Sequence, residues 1–374
     1  MKKIVYWSPI VSKIATHNAV INSALSLKKY SKNYDVSVIN TIGEFDTLKN
    51  NESKVNLINF FKIKKKYEGS GFWKTRISLI RIFLNNFFKL KNFLKDSKPD
   101  YIIIHLLTSL PLILLVLFDF KTKFILRISG LPKMNLFRYI LWKISLKKIY
   151  YVICPTNRTK ETLTKMDFLD KEKIITIYDP VIKVKEQNKL KALKVDLKDY
   201  FISVGRLTKQ KNFLFLIKTF KKLYDEKLVN EKLIIIGEGE LKSDIEKFIK
   251  TNKLSDKIIL LGYKENVFKY LSNSKAFILS SLWEDPGFVL VEAAFSKTIL
   301  ISSDCLNGPL EFLENKKNGF LFKSNSEKAL MDSIINFKNS DKEIIKVKKV
   351  NALKSVKKFT FFRHFKELDK LLSS

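Results

Sequence analysis

Residues 280–294, Ser-Ser-Leu-Trp-Glu-Asp-Pro-Gly-Phe-Val-Leu-Val-Glu-Ala-Ala, decide how this chain is read. They join the short apolar run Ala276–Leu279 to a helix-spaced apolar stretch starting near Gly287. A strand, a Gly/Pro turn and a helix start leave unpaired backbone N–H groups and the positive end of the helix dipole facing the turn, which suits an anion. Glu284 lies in the turn and Glu292 inside the helix, in an E-x7-E spacing. The same pattern also fits an ordinary strand-to-helix connection, since acidic side chains are favoured near a helix start anyway.

On either side, the chain repeats the arrangement. Strand-like Tyr200–Val204 leads into Gly205-Arg206-Leu207-Thr208-Lys209-Gln210-Lys211-Asn212 and a helix over Phe213–Tyr224. There Arg206 can hold a phosphate bidentately and Lys211 offers a point charge, although a solvated basic loop has the same composition. Leu233–Ile236 runs into Gly237-Glu238-Gly239-Glu240, and Lys257–Leu261 into Gly262-Tyr263-Lys264. Further elements are expected over Leu241–Lys250, Val267–Leu271, Ile299–Ser302, Phe320–Phe322, Glu327–Phe337 and Phe359–Leu372. Four successive strands ending in Gly or charged turns would line one edge of a sheet, where open α/β sheets bind ligands.

The first half alternates strands and helices too, with strands over Ile4–Trp7, Asp35–Asn40, Val55–Phe60, Tyr101–His105, Phe124–Ile128 and Tyr151–Cys154. The fold class is therefore α/β, as two doubly wound halves with a ligand cleft between them. The boundaries expected are 1–185, 186–355 and a C-terminal helix, 356–374, packing back on the first domain. The Lys-rich stretch Lys183–Asp199 reads as the interdomain linker.

At 374 residues the chain fits two domains. Its two cysteines, Cys154 and Cys305, demand no disulfide framework, and three histidines without clustered Cys make a structural zinc site unexpected. The net charge of +33 attracts nucleic acid, anionic lipid or phosphorylated substrates, or reflects lysine-rich composition alone. No nucleic-acid-binding signature accompanies it, so no nucleic-acid partner is expected. The start MKKIVYWSPIV reads as a first strand and not a signal peptide. Tyr101–Phe118 reaches membrane-spanning length but is broken by His105, Thr108, Ser109 and Pro111, so a strand, a loop and an apolar helix are expected. Two basic helices, Phe72–Lys95 and Leu136–Lys148, carry bulky apolar residues on more than one face. In the first, Phe72, Trp73, Ile77, Ile80, Phe83, Leu84, Phe87, Leu90 and Leu94 are interleaved with Lys74, Arg76, Arg81, Lys89, Lys91 and Lys95. They fit docking on an anionic membrane surface, or core helices with snorkelling lysines.

Taken in order, GRLTKQKN (205–212), IIGEGE (235–240), LGYKENV (261–267), SSLWEDPGFVLVEAA (280–294) and NGPLEFLENKKNGFLF (307–322) resemble the nucleotide-sugar half of the retaining family 4 glycosyltransferases. EDPGFVLVEAA, SSDCLNGPLEF, AVINSALSLKKYS and ISGLPK resemble bacterial members that build O-antigen or capsule. The resemblance implies the GT-B architecture of two facing Rossmann-like domains with an interdomain cleft. It implies a donor nucleotide sugar, most simply a UDP-sugar, and a lipid-linked glycan acceptor. Two cations and a helix start can neutralise the leaving diphosphate and no D-x-D-like acidic metal site is evident, so chemistry without a metal or other cofactor is expected. By matching position, the resemblance assigns Arg206 and Lys211 to the donor diphosphate, with Gly205 in their turn. Glu284 goes to the donor sugar, Glu292 to the ribose hydroxyls, and the Gly287, Phe288 and Val289 helix start to phosphate. Tyr263 approaches the base, and His105 reaches the donor sugar. A buried strand-end histidine would look the same as the last.

Two features depart from the family pattern. Asp285 stands where glycine usually follows the first Glu, with the glycine at Gly287. Ser8-Pro9-Ile10-Val11-Ser12-Lys13-Ile14-Ala15-Thr16-His17 replaces a Gly-rich first loop. The roles of His17 and Asp285 stay open. The reading is a glycosyltransferase, peripheral on the cytoplasmic face of the cell membrane. Its rivals are a GT-B sugar-nucleotide epimerase and a non-catalytic protein binding polyanions or membranes.

Overall fold

In the computed structural model, residues 1–10, 15–46, 55–61 and 72–373 are described. They divide into two compact units, Met1–Pro180 with Phe361–Ser374, and Val181–Thr360.

The first unit runs β1 (Lys2–Trp7), α1 (Ala15–Tyr30), β2 (Tyr34–Asn40), β3 (Asn56–Asn59), α2 (Phe72–Ser97), β4 (Tyr101–Ile104), α3 (Ser109–Leu117), β5 (Lys123–Arg127), α4 (Leu136–Ser145), β6 (Tyr151–Cys154), α5 (Asn157–Thr164) and β7 (Ile174–Thr176). Among the described residues the strands form one parallel sheet in the order β3-β2-β1-β4-β5-β6-β7. Alternate side chains of a strand point to opposite faces, so each strand feeds two cores. Val5, Trp7, Ile102, Ile104 and Leu126 join Leu90 and Leu94 of α2 and Leu112 and Leu114 of α3. Ile4, Tyr6, Val36, Val38 and Ile103 join Val20, Ala24 and Leu27 of α1 on the other face. The apolar run after Tyr101 is a strand, a short loop and a helix, and no described helix is long and apolar enough to cross a membrane.

The second unit runs α6 (Val184–Lys191), β8 (Tyr200–Val204), α7 (Phe213–Asp225), β9 (Lys232–Ile236), α8 (Lys242–Thr251), β10 (Ile258–Leu260), α9 (Phe268–Ser272), β11 (Ala276–Leu279), α10 (Phe288–Phe295), β12 (Ile299–Ser303), α11 (Gly308–Phe312), β13 (Phe320–Phe322), α12 (Glu327–Lys338) and α13 (Lys342–Val356). Its parallel sheet has the order β10-β9-β8-β11-β12-β13 among the described residues. Phe201, Leu233, Ile235, Ile278 and Ile301 bury one face under Leu216 and Phe220 of α7, Ile245 of α8 and Leu330 of α12.

Two stretches differ from expectation. The Lys-rich segment after Lys183 is not an open linker, because its Val-Lys-Glu-Gln-Asn-Lys-Leu-Lys run favours helix and forms α6, packed on α9. Gln187 secures its start by accepting from Lys183 N at 2.7 Å and donating to Val181 O at 3.1 Å. The chain crosses between units at Pro180/Val181 and Thr360/Phe361, where 185 and 355 were expected. Val181 and Ile182 N both donate to Phe359 O, at 2.9 and 3.0 Å, which ties those flanks into the second unit.

The last helix, α14 (Phe361–Ser373), belongs to the first unit and packs on α1. Buried His364 places Nε2 2.8 Å from Ser23 Oγ and Nδ1 2.8 Å from Tyr178 O, and Ser23 Oγ lies 2.9 Å from the Tyr6 hydroxyl. Burial lowers the His364 imidazole to about 4, so it is neutral at pH 7.

Candidate active site

In both sheets the strand order reverses direction beside the first strand, at β1/β4 and at β8/β11. At such a point the loops leaving adjacent strands diverge and open a crevice at their carboxyl ends. In the second unit the loop after β8 carries Gly205–Asn212, and the turn after β11 carries Ser280–Gly287.

Backbone and side-chain bonds stitch these two loops together. Leu282 N donates to Gln210 O at 2.8 Å, Gln210 Nε2 to Trp283 O at 2.9 Å, and Ser280 Oγ to Lys211 O at 2.8 Å. Lys211 Nζ forms an ion pair with Glu284 Oε1, with side-chain exposures of 12% and 6%. Ser281 Oγ donates to the same oxygen at 2.6 Å, and Ser303 Oγ of β12 donates to Ser281 O at 2.7 Å. Glu284 also forms an isolated parallel bridge with Asn307. Its carboxylate is thus held by a cation and a hydroxyl.

Glu292, on α10, is half-buried. Loss of hydration pushes its carboxyl up to about 7, against the opposing pull of Lys211. Lys211 therefore acts on both acids, pairing with one and biasing the other. Arg206 differs: it is exposed and has no ion pair among the described residues. Its loop is held from below, because Gly205 N donates to Ile236 O, Leu207 N to Glu238 O and Leu241 N to Leu207 O. That closeness requires glycine: a Cβ on Gly237, at φ +149, would stand 1.8 Å from Gly205 O.

The glycine displaced from position 285 has its own task. Gly287 takes the left-handed conformation (φ 85, ψ 60) that starts α10, and no side chain caps this helix. The N–H groups of Phe288 and Val289, in its first turn, lack intrahelical acceptors by geometry. Tyr263 projects from the loop after β10, 73% exposed.

The structure thus brings Gly205, Arg206, Lys211, Glu284, Gly287, Phe288, Val289 and Glu292 to one strand-order reversal. Sequence reasoning missed Gln210, Ser281 and Asn307. The doubled serine ahead of Glu284 and the Asn-Gly pair at 307–308 were the available signals.

His105 lies in the first unit, just after β4, at that unit's own reversal. It is buried, its N–H donates to Trp7 O at 2.9 Å, and its Nε2 has no hydrogen-bond partner among the described residues. Burial, then the Arg127 charge, holds its imidazole well below the usual range, so it is neutral at pH 7. Ser8 Oγ, after β1, is likewise buried and unpartnered. His17 has Nε2 3.0 Å from Glu44 O and stacks on Phe45 with centroids 5.0 Å apart. Val11–Ile14 of the same loop lie outside the described residues. Among the described residues, no group of three or more His, Cys, Asp or Glu could hold a metal ion.

Residues 184–353 match the family model of glycosyl transferases group 1. An uncharacterized glycosyltransferase of Methanocaldococcus jannaschii is 32% identical over 308 residues, covering 77% of this chain and 73% of the relative. The chain belongs to the group 1 glycosyltransferases. This glycosyltransferase is also 25% identical over 373 residues to the GalNAc-alpha-(1->4)-GalNAc-alpha-(1->3)-diNAcBac-PP-undecaprenol alpha-1,4-N-acetyl-D-galactosaminyltransferase of Campylobacter jejuni, covering 98% of this chain and 97% of the relative. Its fold is that of the crystal structure of Anabaena HepE in complex with UDP and glucose, with TM-score 0.71, 14% identity and full coverage of both chains. Two parallel-sheet, Rossmann-like units make this glycosyltransferase a GT-B enzyme.

Proposed function

We propose that the enzyme moves a hexosyl or N-acetylhexosaminyl unit, with retention of configuration, from a UDP-sugar to a lipid-linked glycan. The setting proposed is synthesis of a bacterial surface polysaccharide, O-antigen or capsule, at the cytoplasmic face of the cell membrane. One observation carries the donor half: an unpaired cation, a second cation and an uncapped helix start converge where the strand order reverses. The Campylobacter relative, matched over nearly its whole length, is named for an undecaprenol-linked acceptor and an alpha linkage. The Anabaena neighbour holds UDP and glucose.

In transfer, an acceptor hydroxyl bonds to the anomeric carbon as the bond from that carbon to the diphosphate oxygen breaks. The hydroxyl proton passes to the departing phosphate, so UDP leaves and no external reactant is needed. Negative charge grows on the leaving oxygen, and groups fixed near it stabilise the transition state more than the ground state. Arg206, Lys211 and the Phe288 and Val289 N–H groups take that part in this reading, and they stand in for a metal ion. Glu284 accepts from hydroxyls of the donor sugar and Glu292 from those of the ribose. In the same reading Tyr263 goes to the base and His105 to the donor sugar.

The test is a thermal-shift panel of UDP-, GDP- and other nucleotide sugars, since a ligand that binds only the folded state raises the melting temperature. A UDP-sugar is expected to give the largest rise, and UDP release is expected only with a lipid-linked acceptor present. No shift with any nucleotide sugar overturns the donor site. Donor turnover without acceptor points instead to an epimerase.

A further inference from the structure

The helices on one face of the first unit expose apolar side chains that a water-facing surface does not need. α2 has a buried seam (Ile82, Leu90, Leu94) and, on its opposite side, Ile80, Leu84 and Phe88 exposed by 59%, 65% and 67%. α4 buries Leu141 and Trp142 and exposes Phe137, Ile140 and Ile144. Both helices pack on α3, so the two stripes flank one helix on one side of the sheet. Clustered bulky apolar side chains of this kind mark an interaction surface.

Charge identifies the occupant. No Asp or Glu occurs between Phe72 and Lys95, or between Lys121 and Lys160. Arg81, Lys143 and Lys147 are exposed beside the stripes without an ion pair among the described residues. A second copy would set cations against cations. An anionic bilayer offers acyl chains to the stripes and headgroup phosphates to the cations, as for helices lying in the membrane plane.

We propose that the α2–α4 face of the first unit docks on an anionic lipid surface, with Leu84, Phe88, Phe137 and Ile140 entering the headgroup boundary. This rests on the membrane-lipid acceptor proposed above and names the surface that meets it.

The test uses the full chain, flotation with vesicles and a transfer assay with both a vesicle-embedded and a water-soluble acceptor. Wild type is expected to float with phosphatidylglycerol-containing vesicles, less so as salt rises, and poorly with phosphatidylcholine alone. Leu84→Asp with Phe88→Asp, and separately Phe137→Asp with Ile140→Asp, are expected to lower vesicle partitioning by about tenfold or more. Because these positions are exposed, melting temperature and transfer to the water-soluble acceptor should stay at wild-type levels while transfer to the embedded acceptor falls. Arg81→Gln with Lys143→Gln and Lys147→Gln should flatten the salt dependence. Variants that float like wild type, equal binding to neutral vesicles, or a wild-type dimer that the Asp variants convert to monomers each overturn the docking face. A wild type that floats but transfers nothing overturns the chemistry alone and supports the docking face.

Discussion

Lys211 and Glu284 stand 73 positions apart in the chain and form one buried pair. Removing either partner strands a charge at a cost of about 3–5 kcal/mol, so alanine at either position confounds chemistry with folding. Glu284→Gln keeps the oxygen that Ser281 donates to and removes only the charge. It is expected to lower kcat by about 10²–10³ and, because Lys211 loses its counter-charge, to lower the melting temperature too, but by less than alanine does, read by UDP release and circular dichroism. Unchanged turnover would remove Glu284 from the site. Glu292 makes a different prediction. Its carboxyl is raised from 4.5 to about 7 in the fold, so between those pH values the folded state holds a proton that the unfolded state has lost. Stability therefore falls as pH rises through that window. Glu292→Gln should match the wild type below pH 4.5 and melt at a higher temperature above pH 7, so parallel melting curves across this range would refute the assignment. Both acids were legible in the sequence from their spacing, but the pairing with Lys211 was not, because nothing local in either loop records a contact across the sheet.

Glycine at a strand end was the most legible local feature, since few other residues permit the tight turns found there. The reason Gly237 must be glycine came only from the structure, where it lies against the carbonyl of Gly205 and supports the Arg206 turn. Gly237→Ala places a Cβ against that carbonyl and keeps an unfavourable φ, a strain on the order of 1–3 kcal/mol. The loop bearing Arg206 should shift, raising the donor KM several-fold or more while the acceptor KM stays put. Unchanged donor affinity would show that the turn tolerates the side chain. Long periodic helices such as α2 and α7 were evident before any coordinates. Elements that escaped are short or weakly periodic: the three-residue β7, the short helices α5 and α11, α6 in its run of lysines, and α13, whose Ile344, Val347 and Val350 remain exposed and blur its stripe.

The division into two α/β halves followed from the βα rhythm, and a C-terminal helix packing back on the first domain was expected as well, whereas the buried contacts of His364 within that packing are announced by no pattern. In the proposed reading, Arg206 and Lys211 of this chain of net charge +33 supply the donor diphosphate with counter-charge from fixed side chains. Transfer is accordingly expected to be insensitive to EDTA, while the donor KM rises with sodium chloride as exposed Arg206 is screened. Loss of activity on chelation, restored by a divalent cation, would replace these cations with a metal.

The chain of contacts from Tyr6 through Ser23 to His364 also orders events during synthesis. The second unit is one unbroken segment and can close as soon as residue 360 has left the ribosome. The first unit has to wait, because Leu368, Leu371 and Leu372 complete the core under β1 and β2. The half made first is therefore finished last, and until α14 arrives the face of α1 that it covers is open to chaperones and proteases.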